Sequence, residues 1–116
     1  MPFLKLNTNI AINTEQSKQL LGELSQLLAK ETGKPESYVM VEVNAGKAML
    51  FGGNADPLAY LECKSIGLTP TQAKVLSASI CQSLTAALQL PSDRIYIEFS
   101  NSPSEFWGFN GSTFGG

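Results

Sequence analysis

Two hydrophobic rhythms alternate along the chain, and the pair occurs twice. An apolar, strand-like run, "PFLKLNTN" (2–9), leads into a segment from about Thr14 to Thr32 in which Leu20, Leu21, Leu24, Leu27 and Leu28 recur at helical spacing. Gly33 follows as a stop, because glycine adopts the left-handed conformation that ends helices. "SYVMVEV" (37–43) then reads as a second strand. The order repeats with "LAYLECKSIG" (58–67), a helix opened by Thr69 and Pro70 with the stripe Ala73, Leu76, Ile80, Leu84, Ala87 and Leu88, and the strand "DRIYIEF" (93–99).

The two halves are also alike residue by residue. At an offset of 56, "KPESYVMVEV" (34–43) lies over "LPSDRIYIEF" (90–99), matching Pro35 to Pro91, Val39 to Ile95, Val41 to Ile97 and Glu42 to Glu98. The same offset relates Ile10 to Ile66, Gln16 to Gln72, Lys18 to Lys74, Leu20 to Leu76 and Leu28 to Leu84. One offset held through helix and strand alike is the mark of an internal repeat.

Two βαβ units with right-handed crossovers put both helices on one face of a shared sheet. The expected fold is therefore α/β in the α+β sense: a four-stranded mixed sheet with two helices on one side. Val39, Val41, Val43, Ile95, Ile97 and Phe99 share the parity that faces the helices, leaving Met40 and Tyr96 on an uncovered face. Such a face calls for a partner, and a symmetric oligomer is the simplest one. "AMLFGGNADP" (48–57) reads as a short strand with a glycine turn, and the tail from 102 to 116 as an aromatic, glycine-rich edge.

At 116 residues the chain is one domain over 1–116, its repeat covering roughly 2–44 and 58–100. A formal charge of −2 gives no basic field for phosphates, which disfavours nucleic acid. No apolar run approaches the ~18 residues of a membrane span, and the start lacks a secretory signal pattern, so the cytoplasm is the default address. With no histidine in the chain, zinc sites and Ser-His or Cys-His catalysis are set aside, and no metal or cofactor is expected. Cys63 and Cys81, with 17 residues between them, read as small buried hydrophobes.

The strand-like run at the very start is unusual, since a terminus that buries nothing does not offset the entropy of ordering it. A bland reading makes Pro2 a strand-start residue whose missing N–H costs nothing. The chemical reading begins from removal of the initiator methionine, which is general before a small residue. Pro2 then carries a secondary amine able to accept a proton. An apolar pocket and a nearby cation would lower its pKa toward neutrality. The repeat sets Leu58 at the equivalent place in the second half, where no terminal amine exists.

The chain resembles the tautomerase superfamily, in the branch of macrophage migration inhibitory factor and D-dopachrome tautomerase. The resemblance is carried by "MPFLKLNTN" (1–9), "TGKPESYV" (32–39), "FGGNADP" (51–57), "SIG" (65–67), "PSDRIYI" (91–97) and "NGSTF" (110–114), in order from end to end. It implies a homotrimer with an active site at each subunit boundary, and Pro2 as the group that moves a proton between carbon and oxygen of aromatic α-keto acids such as phenylpyruvate. It also implies that Lys34 binds the substrate carboxylate and disfavours the ammonium form of Pro2. Without the motif, Lys34 would be a solvated lysine complementing a helix dipole.

Further roles follow from the same resemblance. Ile66, with Ser65 beside it, matches a backbone contact to ligand. Tyr96 matches a tyrosine given across the subunit boundary. Phe114 and Trp107 fall at the pocket mouth, and Tyr38 is a pocket-wall candidate. Glu98 stands where the family has a ligand-contacting asparagine. A carboxylate there would either oppose an anionic substrate or point away into a salt bridge, as the equivalent Glu42 suggests. Leu58 and Leu61 replace the Cys-x-x-Cys of the vertebrate factor, so its redox activity is not carried over. The alternative function is that of a signalling protein that binds receptors, with vestigial tautomerase activity. The family can leave cells without a signal peptide, which keeps secretion open. A trimeric binding module with incidental amine activity is the third reading.

Overall fold

The computed structural model describes all residues, Met1 to Gly116. Its strands are β1 (Phe3–Thr8), β2 (Met40–Asn44), β3 (Ala59–Ile66) and β4 (Ile95–Ser102), and its helices α1 (Thr14–Thr32) and α2 (Pro70–Leu88). The sheet order is β2-β1-β3-β4. β1 runs parallel to β2 and antiparallel to β3, and β3 runs parallel to β4. The two halves thus meet along the antiparallel β1/β3 ladder.

The repeat extends to the ends of the elements. Asn13 and Thr69 each accept a hydrogen bond from the backbone N–H of the glutamine three residues on, and Gln16 and Gln72 each reach back to the backbone of that cap. These reciprocal caps satisfy donors that a helix start leaves orphaned. Both helices end on a left-handed residue, Gly33 (φ 69°) and Gln89 (φ 58°). A single 3-10 turn, Glu36–Tyr38 or Ser92–Arg94, then follows a proline and feeds the next strand.

The core lies between the helices and one sheet face. Leu20, Leu24 and Leu28 of α1 and Leu76, Ile80 and Leu84 of α2 bury against Leu4, Leu6, Leu61 and Cys63, with Val39, Val41, Val43, Ile97 and Phe99 packed around them. On the opposite face Met40 is 65% and Tyr96 63% exposed, which leaves that surface open as expected. A row of charged residues crosses this face in register, Glu42, Lys5, Glu62 and Glu98.

Two expectations change in detail. "SYVMVEV" pairs only from Met40 onward, because the proline-led turn takes Ser37 and Tyr38. The segment 48–57 forms no strand; it closes on the single bridge between Phe51 and Asn54. Arg94 holds it, donating to the carbonyls of Phe51 (2.8 Å), Asp56 (2.9 Å), Asn54 (3.3 Å) and Pro57 (3.4 Å). Asn9 ties it from the other side, donating to the Ala55 carbonyl and accepting from the Leu58 N–H. In the tail, β5 (Gly108–Phe109) and β6 (Ser112–Thr113) form a small hairpin. No helix is long and apolar enough to cross a membrane.

Candidate active site

Pro2 is buried where β1 begins, and the Met40 N–H donates to its carbonyl at 3.0 Å. The start of the chain is therefore fixed between its neighbours. Beside it opens a cleft of about 370 Å³ lined by Met1, Pro2, Phe3, Tyr38, Val39 and Met40, by Ser37 and Lys64, and by Trp107, Gly108, Phe109 and Phe114 of the tail.

The aromatic wall is built by local turn chemistry. Asn110 (φ 52°) and Gly111 (φ 78°) form the two-residue turn between β5 and β6, a conformation that asparagine and glycine favour. The turn brings Phe109 and Phe114 into a parallel stack, with centroids 5.2 Å apart and an interplanar angle of 7°. Tyr38 meets both rings edge-on, at 5.4 and 5.8 Å. A hydrogen bond from the Phe114 N–H to the Trp107 carbonyl closes the end of the hairpin.

The electrostatics favour a neutral amine. The α-amino group, borne here by Met1, has its pKa lowered first by desolvation and then by the Lys34 ammonium. Both causes act by raising the cost of the charged form. Lys34 itself follows the Gly33 turn, half-buried, and is not among the residues that line the cleft.

Of the residues singled out from sequence, Pro2, Tyr38, Trp107 and Phe114 converge on this cleft, and Lys34 acts on its amine through charge. Ser65 is buried and Ile66 half-buried at the end of β3, outside the cleft lining. Tyr96 lies elsewhere on the sheet, its ring 4.6 Å from that of Phe51. Glu98 sits on the open face, where the Tyr60 hydroxyl donates to it at 3.5 Å. In one chain Tyr96 and Glu98 thus stand apart from Pro2. Lys64 and Phe109 also line the cleft and were not anticipated. Asn-Gly between aromatics was the available signal for Phe109. For Lys64 the sequence carried no such signal, because only the pairing of β3 with β1 places it opposite Phe3.

Comparison with known proteins identifies the family. A family model described as macrophage migration inhibitory factor matches residues 1–115. The chain belongs to the macrophage migration inhibitory factor family. It is 43% identical to a homolog of this factor from Brugia malayi over 116 residues, covering 99% of this chain and 100% of the relative. The solved homologue from Prochlorococcus marinus superposes with a TM-score of 0.92 at 40% identity, over 97% of this chain and 99% of that one. The factor from Trichinella spiralis does so at 0.88 and 34% identity, over the same shares. The family's fold, with its two helices on a four-stranded mixed sheet, is the fold of this chain.

Proposed function

We propose that the protein is a keto-enol tautomerase for aromatic α-keto acids such as phenylpyruvate, with the Pro2 nitrogen as acid and base after Met1 is removed. The observation that carries this reading is an aromatic-walled cleft at the start of β1 that holds the terminal amine, borne by Met1 next to Pro2, with its pKa lowered by desolvation and by Lys34. A neutral amine can take the proton from the carbon beside the ketone. The C–H electron pair becomes the new C=C bond, the carbonyl π pair moves to oxygen, and the enolate oxygen takes up the proton. Ketonisation runs the same steps in reverse.

On this reading the protein works as a homotrimer. Assembly would explain why Tyr96 and Glu98 lie away from the cleft of their own chain while Met40 and Tyr96 leave the sheet face open. Lys34 keeps the amine neutral and attracts the carboxylate, Phe114 and Trp107 hold the aromatic ring with Tyr38, and Ser65 and Ile66 frame the site through backbone. The test follows ketonisation of enol phenylpyruvate by ultraviolet absorbance, with wild type and Pro2→Gly proteins whose masses confirm loss of Met1. Turnover that Pro2→Gly loses while its assembly is unchanged supports the reading. Inactive, correctly processed wild type refutes it for this substrate.

A further inference from the structure

We infer that Lys64 is a carboxylate-binding residue of the cleft, a second cation separate from Lys34, and that Glu62 is the counter-ion it gives up when an aromatic carboxylate binds. The Pro2 reading supplies the substrate class, but Lys64 is assigned on its own geometry.

Lys64 is the only charged side chain lining the cleft. It stands on β3 directly across from Phe3, so its stem runs beside the same opening as Pro2. The side chain is 47% exposed, and its Nζ lies 3.8 Å from a carboxylate oxygen of Glu62, two residues back on the same strand face. That separation is at the loose end of an ion pair, and half-exposed pairs of this kind are weak. An arriving carboxylate can replace Glu62 at little cost and form a shorter, charge-assisted contact. The remaining lining is aromatic, aliphatic or neutral, so it supplies ring contact and no competing negative charge.

Lys34 and Lys64 then divide the work. Lys34, outside the lining, acts by charge on both the amine and the approaching carboxylate; Lys64, inside it, makes a direct contact with that anion. Lys5 lies opposite Glu62 in register on β1, and Glu98 opposite it on β4.

Trp107 lines the cleft and is the only tryptophan, so its fluorescence reports occupancy without any need for turnover. The probes are 3-phenylpropionate, an unreactive aromatic carboxylate, and its neutral amide. Lys64→Met should weaken the acid about fivefold or more while leaving the amide within about twofold, and Lys64→Arg should restore most of the acid's affinity. Glu62→Gln should tighten the acid by about two- to threefold. Equal affinity for the acid in wild type and Lys64→Met, or parallel loss of acid and amide, would overturn the assignment. Loss of turnover in Pro2→Gly with acid binding intact separates this claim from the proton-transfer claim. Inactive wild type that still distinguishes acid from amide through Lys64 would refute the tautomerase reading and leave this one standing.

Discussion

The Met40 backbone N–H donates to the Pro2 carbonyl at 3.0 Å, one residue before the parallel β1/β2 ladder begins with Phe3 opposite Met40. The backbone at Pro2 is thereby tied to the start of β2. The proposed Pro2 amine, exposed by loss of Met1, would need no loop to order it. Because the bond uses the carbonyl of Pro2 and not its nitrogen, Pro2→Gly should keep it. The substitution also removes a fully buried ring, so the melting temperature should fall by several degrees, as a loss of about 1–2 kcal/mol implies, and an unchanged melting temperature would mean that the ring adds nothing to the strand's hold.

On the proposed mechanism, the charge on Lys34 should set the pH range of the reaction. A base works in its neutral form, so activity falls as pH drops through the amine's pKa. Desolvation and the Lys34 ammonium both lower the pKa of the α-amino group that Met1 bears at this place, and the same two causes should act on the Pro2 nitrogen once Met1 is removed. Lys34→Met removes the second cause, the pKa rises, and the acid limb of the kcat profile should move to higher pH. An unmoved limb would assign the depression to burial alone.

Arg94 bridges the motifs "PSDRIYI" and "FGGNADP". Its guanidinium donates to four backbone carbonyls between Phe51 and Pro57 and lies 5.0 Å from the Phe51 ring centroid. Arg94→Lys keeps the charge but loses the planar fork, so it should destabilise nearly as much as Arg94→Ala, by about 1–3 kcal/mol. Hydrogen exchange should show residues 51–57 opening first. Full recovery by lysine would reduce the contact to charge.

Gln89 holds the left-handed position that Gly33 holds in the first half. A side chain there carries backbone strain that glycine avoids, so Gln89→Gly should gain about 0.5–1 kcal/mol and Gly33→Ala should lose at least as much. Paired chemical denaturation curves decide it. Destabilisation by Gln89→Gly would show that Gln89 makes contacts worth more than the strain.

The two thiols should differ in reactivity. Burial raises Cys63 to about 11, and it raises the half-buried Cys81 as well. Thiolate is the reacting species, so a disulfide reagent at pH 8 should label native protein slowly, and at Cys81 first. Cys81→Ser should then leave almost no native labelling.

The sequence made the repeat readable because period and offset report burial directly. Leu20 over Leu76 and Leu28 over Leu84 fall on the helix faces that meet the sheet. The cleft was half readable. Pro2, Tyr38, Trp107 and Phe114 sit in motifs whose order along the chain is distinctive. Lys64 was missed because on a strand it is one more polar residue of the open face, and only the pairing of β3 with β1 brings it beside Pro2. The segment 48–57 misled because Met49, Leu50 and Phe51 have strand composition, whereas their backbone is held by side chains from Asn9 and Arg94.

The most direct test of the account is the pKa of the Pro2 nitrogen, followed by ¹⁵N NMR in protein labelled with ¹⁵N-proline and shown by mass to lack Met1. The account predicts an amine that titrates clearly below the ~7.7–8.0 of an ordinary α-amino group and moves upward in Lys34→Met. An amine titrating at or above that range, unmoved by Lys34, would contradict it.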